Sequence, residues 1–92
     1  MTMTIEGQIA SVFQNIPLVE SIYVLHDDEA SFNVITVLSQ ADRDAYARIF
    51  EKERQLLDTF STVNFDFHVF ARGGRPVEQI VGSNTPVWQR NA

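Results

Sequence analysis

Apolar residues recur along this chain first with a helical spacing, then with the alternation of strands. Ile5, Ile9, Val12, Phe13 and Ile16 fall on one helical face, with Glu6 near its positive end. Pro17 disfavours helical geometry at Ile16, so the spacing predicts a first helix over residues 4–15. Residues 20–25 read as a strand, with Ile22 and Val24 to one side and Tyr23 and Leu25 to the other. A polar connection, His26-Asp27-Asp28-Glu29-Ala30-Ser31, leads into a second strand over 32–38. That strand is apolar on both faces apart from Asn33 and Thr36, as a covered central strand is. The short link makes the two an antiparallel hairpin.

Asp42 is placed to cap a second helix, with Asp44 in its first turn. Tyr46, Ile49, Phe50, Leu56, Leu57 and Phe60 recur at helical spacing to about residue 60, with Glu53 the one exposed interruption. Phe13 and Phe50 are expected on the faces that the two helices bury against the sheet. A third strand over 63–70 alternates strictly: Val63, Phe65, Phe67 and Val69 against Asn64, Asp66, His68 and Phe70. Arg72-Gly73-Gly74-Arg75-Pro76 is a loop, and 77–81 reads as one helical turn or a short strand. After a turn over 82–86, Val87-Trp88-Gln89 suits an edge strand or docked tail. A right-handed crossover places the third strand parallel to the second. The expected fold is α+β: a small mixed sheet in α-β-β-α-β order with helices packed on it.

With 92 residues, the pattern is that of a single domain spanning 1–92. A hydrophobic share of 45% is too high for a disordered chain, yet no apolar run approaches the roughly 20 residues of a membrane helix. The opening Met1-Thr2-Met3-Thr4-Ile5-Glu6 lacks the basic and apolar regions of a leader, so a cytoplasmic location without membrane attachment is expected. The absence of cysteine excludes disulfides, thiolate metal sites and thiol nucleophiles. A net charge of −5 argues against nucleic-acid binding, which clustered Lys and Arg would carry.

The order of elements resembles the minimal nucleotidyltransferase family over nearly the whole chain. Residues 16–25 read like its entry into the first strand. Ser31 to Val37 stands in the place of its acidic second strand, Asn64 to His68 in that of its third, and Ile80 to Trp88 resembles its closing segment. The resemblance implies a nucleotidyltransferase-like fold; a ferredoxin-like sheet is the alternative. The departures imply an inactive site. Where the family carries a Gly-Ser phosphate cradle, this chain has His26-Asp27-Asp28. Where the family carries paired metal-binding carboxylates, it has Ser31 and Asn33, which supply no anionic oxygen for Mg²⁺. Only Asp66 matches a third carboxylate. Phosphoryl transfer without cradle or metal pair loses its electrostatic stabilisation.

Four features carry candidate chemistry. The His26–Glu29 run holds metal-ligand types, but neighbouring side chains on a turn diverge, and a solvated hairpin turn explains it better. Asp66 and His68 share a strand face and suit an acid–base or ligand pair, or ordinary edge polars. The Arg72–Arg75 loop offers an anion nest, or a flexible turn. Tyr23, Phe70 and Trp88 are the aromatics expected at an interface, the remainder belonging to the core. The reading is therefore a non-catalytic interaction or regulatory module that needs no metal or cofactor. It is expected to form a homodimer through the sheet edge or the tail around Val87 and Trp88. The alternative is a small ligand- or nucleotide-binding protein or enzyme using Asp66, His68, Arg72 and Arg75.

Overall fold

A computed structural model of the chain describes residues 4–90, so residues 1–3 of the stretch read for a leader lie outside the described residues, as do 91–92. Helix α1 spans Ile5–Phe13. The Thr4 hydroxyl caps it by accepting the Gly7 N–H at 3.0 Å. It ends two residues before the expected 15 because the chain turns back at once, the Val19 N–H donating to the Ile16 carbonyl at 3.0 Å. Ile16 has left the helix yet stays buried with Ile9 and Phe13.

Strand β1 (Val19–Asp28) and strand β2 (Ser31–Leu38) form the antiparallel hairpin. β1 runs three residues further than its apolar pattern, so most of the expected polar connection is strand. Side-chain contacts hold this extension. The His26 ring meets Phe32 edge-on at 4.4 Å and its Nε2 lies 2.8 Å from Glu6 Oε1. Asn33 Nδ2 donates to both Asp27 carboxylate oxygens at 2.8 Å. Asp28 then accepts the Ala30 N–H at 2.9 Å, which makes the reversal an Asx turn.

Helix α2 (Arg43–Thr59) is capped by Asp42, whose carboxylate accepts the Ala45 N–H at 2.9 Å. It returns the chain to strand β3 (Asn64–Ala71), parallel to β2. One turn of helix, α3 (Glu78–Val81), precedes strand β4 (Trp88–Gln89), antiparallel to β1. The four-stranded mixed sheet has the order β3-β2-β1-β4. A fourth strand does enter the sheet, but the crossover lands directly beside β2. The ferredoxin-like alternative needs a split crossover with a strand between, so its arrangement is not the one present.

The sheet has unequal faces. Ile22, Val24, Phe32, Val34 and Leu38 pack with α1 and α2 in the main core. On the other face α3 covers only one end, where Val81, with Val77 and Ile80, closes over Tyr23 and Val37. Phe13 is fully buried, as expected, but Phe50 is 53% exposed and its placement in the core is corrected. Ala45, Ile49 and Leu56 form the buried stripe of α2, and Phe50 lies beyond it. β3, at the sheet edge, is nowhere fully buried: Phe65, Phe67 and Val69 alternate between half-buried and the exposed Asp66, His68 and Phe70.

Candidate functional site

The two arginines of the Arg72–Arg75 loop are engaged by Glu20 and by backbone carbonyls. Arg72 grips Glu20 with two bonds, Nε to Oε2 at 2.8 Å and Nη2 to Oε1 at 3.0 Å. The bonds from Arg72 hold the Glu20 carboxyl below its ordinary range, and Glu20 in turn raises the guanidinium. Arg72 Nη1 also donates to the Arg75 carbonyl at 3.0 Å, while Arg75 donates back to the carbonyls of Arg72 and Ala71 at 3.1 and 3.0 Å. Gly73 and Gly74, at φ 57° and 84°, turn the chain in the left-handed region that glycine adopts without strain. The Gly73 and Arg75 amides donate to the Ser39 and Arg72 carbonyls at 3.0 Å. These donors are engaged within the protein, an arrangement that favours a closed turn over an anion nest.

Arg90 is likewise committed. It donates to the carbonyls of Val19, Gln14 and Ile16 at 3.0, 2.9 and 3.2 Å and lies 5.0 Å over the Trp88 ring. A cavity of about 450 Å³ lies among these groups, lined by Glu20, Tyr23, Arg72 and Gln89 among others, with the Glu20–Arg72 ion pair in its wall.

Asp66 and His68 do meet, at 3.2 Å, with side chains 68% and 42% exposed. That is an edge pair in water, without the enclosure that tunes an acid–base couple. The rise of an extended strand puts Arg72 about 20 Å beyond Asp66, so the four residues of the expected ligand site divide between two ends of β3. Asp66 stands opposite Asn33, and Ser31 opposite Asn64. Among the described residues no three His, Asp or Glu side chains converge on a metal position. Of the three aromatics expected at an interface, Tyr23 is 3% exposed beneath α3 and so unavailable, Trp88 is half-buried, and Phe70 is exposed.

The open chemistry lies along the β3 edge. The Asn64 N–H donates to Ala30 and the Arg72 N–H to Leu38, both at 2.7 Å, so even-numbered residues turn their peptide groups towards β2. By the alternation of a strand, Phe65, Phe67, Val69 and Ala71 turn theirs outward, and among the described residues no strand lies beyond them.

Beside this edge α2 presents a second apolar row. Arg48, Glu51, Lys52 and Gln55 line the groove shared with α1. On the opposite flank, past the buried stripe, the helical repeat places Tyr46, Phe50, Glu53 and Leu57. Since α1 contacts β1 and α2 contacts β3, this flank overhangs the free edge. Tyr46 and Phe50 stack at 6.4 Å, and Leu57 is 45% exposed. Half-burial in this apolar row pushes the Glu53 carboxyl up to about 7, against a smaller downward pull from His68.

Sequence reasoning places Tyr46, Phe50 and Leu57 on the buried face with Glu53 an exposed interruption; Phe50 and Leu57 are instead exposed and Glu53 is half-buried among them, because this flank lies past the buried stripe of α2. The available signal was the width of the apolar arc on the helix: Tyr46, Ile49, Phe50, Leu56 and Leu57 span more of the circumference than one sheet contact covers.

Comparison with protein families, characterised proteins and solved structures finds no match to the chain.

Proposed function

We propose that the chain is a non-catalytic protein-interaction module, a degenerate relative of the nucleotidyltransferase-like domains, whose working surface is the β3 edge with the overhanging flank of α2. The observation that carries this reading is the unpaired peptide edge of Phe65, Phe67 and Val69 running beside the exposed Phe50 and Leu57. An open strand offers directional hydrogen bonds to another polypeptide, and the apolar row offers area to bury. The catalytic alternative has less support. Its cations are engaged by Glu20 and backbone carbonyls, and its carboxylate and imidazole lie in water at the far end of the strand. Asn33 beside Asp66, where paired carboxylates would be needed, leaves Mg²⁺ poorly held.

Site-resolved photo-crosslinking in cells tests the surface. A photoreactive residue at Phe50 should transfer label to a polypeptide, while one at Glu51, on the α1 side, should not. Equal labelling at both positions, or none at Phe50, refutes the surface. The non-catalytic half fails if purified protein turns over any nucleoside triphosphate with Mg²⁺ or Mn²⁺ and the activity is lost in Asp66→Ala.

A further inference from the structure

We propose that β3 pairs antiparallel with the β3 of a second copy of this chain, across a twofold axis passing at Phe67, so that the two sheets become one. The proposal rests on the interaction-surface reading above and names the occupant.

Donor–acceptor complementarity across the edge selects both the occupant and the register. Because the odd-numbered residues turn their peptide groups outward, an antiparallel partner strand must meet them with its own outward set. For a strand meeting itself, the central placements of the axis are at Asp66, Phe67 or His68. An axis at Asp66 sets two carboxylates face to face, and one at His68 sets imidazole on imidazole and Asp66 against Phe70. An axis at Phe67 sets Asp66 of each copy opposite His68 of the other, twice, while Phe65 meets Val69 and Phe67 meets Phe67 on the helix side. An imidazole N–H directly across from a carboxylate makes a favourable cross-strand pair, whereas two carboxylates face to face oppose one another. Asp66 and His68 already lie on one face 3.2 Å apart. The pairing therefore closes a ring of two carboxylates and two imidazoles.

Geometry agrees. An eight-residue edge extends about 26 Å. The axis at Phe67 overlaps nearly all of it, whereas the opposite edge of the sheet, β4, has two residues. An axis normal to the sheet keeps both helix layers on one side, and the Phe50 and Leu57 flank of each α2 then faces its counterpart. The same patch on both copies is the isologous contact of a cyclic dimer.

The chain has no cysteine, so the register can be read by crosslinking. Asp66→Cys and His68→Cys, made separately, should give the mixed disulfide when combined under mild oxidation. Each alone should give little, because like positions then lie diagonally, about 7–8 Å apart, beyond disulfide reach. Sedimentation at 100 µM should give twice 10.5 kDa. His68→Asp should weaken association at least fivefold, and adding Asp66→His should restore it. Both side chains are exposed, so circular-dichroism melts of the dilute monomers should change little. Abundant disulfide dimer from Asp66→Cys alone, failure of the charge swap to rescue, or a monomer at 100 µM overturns the proposal. Of these, a monomer leaves the interaction-surface reading standing if Phe50 still transfers label to another polypeptide, whereas loss of that labelling removes the reading itself.

Discussion

Glu53→Gln should stabilise the chain at pH 8 and leave it unchanged at pH 4. Glu53 lies half-buried between Phe50 and Leu57 on the α2 flank, and burial raises its carboxyl from 4.5 to about 7. Below pH 4.5 the group is protonated whether the chain is folded or not, and it costs nothing. Between 4.5 and 7 the unfolded chain ionises it while the folded chain resists, so its contribution to stability falls as pH rises. Above 7 the full cost is present. At 1.36 kcal/mol for each pH unit between the two values the ceiling is roughly 3 kcal/mol, and half-exposure to screening solvent reduces it to about 1 kcal/mol. The carboxyls of Glu6 and Glu20, held low by hydrogen bonds, give the opposite slope, but both proteins share them and they cancel in the difference. Urea melts at pH 4, 6 and 8, at concentrations low enough to keep the chain monomeric, measure that difference. A gap that is constant with pH, or a less stable Gln variant at pH 8, refutes the placement of Glu53 in an apolar row.

Phe13→Ala should cost about 3–5 kcal/mol in the same melts, because its ring is fully buried, whereas Phe50→Ala should cost under about 1 kcal/mol in the dilute monomer. Equal losses would place Phe50 in the core after all. Asp42→Ala removes the carboxylate that accepts the Ala45 N–H and should cost about 1 kcal/mol, with Asp42→Ser recovering most of it. Arg90→Ala frees the carbonyls of Val19, Gln14 and Ile16 and uncovers Trp88, so indole emission should shift to the red with a loss of about 1–2 kcal/mol. An unshifted spectrum would show that the tail is held by other contacts.

Local pattern specifies the first five elements and the class of the fold, while residues 77–81 and 87–89 take their helical and strand forms only in the folded chain. Helical spacing from Ile5 to Phe13, the cap at Asp42 and the strict alternation after Val63 are local properties, set by backbone geometry and the direction of each side chain. The right-handed crossover rule then places β3 parallel to β2. Boundaries are less legible where distant residues set them. β1 reaches Asp28 because of Phe32, Glu6 and Asn33, and the pattern within residues 20–25 does not contain those partners. Which apolar residues are core is a tertiary decision too. Phe50 and Ile49 are neighbours of similar hydrophobicity, and only the overhang of α2 past the sheet leaves one exposed and buries the other. The loop arginines show the same division: Arg72 and Arg75 beside two glycines suggest an anion site, but Arg72 is settled by Glu20, 52 residues away. A side chain's hydrogen-bond partner depends on which strands become neighbours, and strand order is a property of the whole chain. The free edge of β3 is the plainest case. Its residues alternate as any half-buried strand would, and only the order β3-β2-β1-β4 leaves its outer peptide groups without a neighbouring strand.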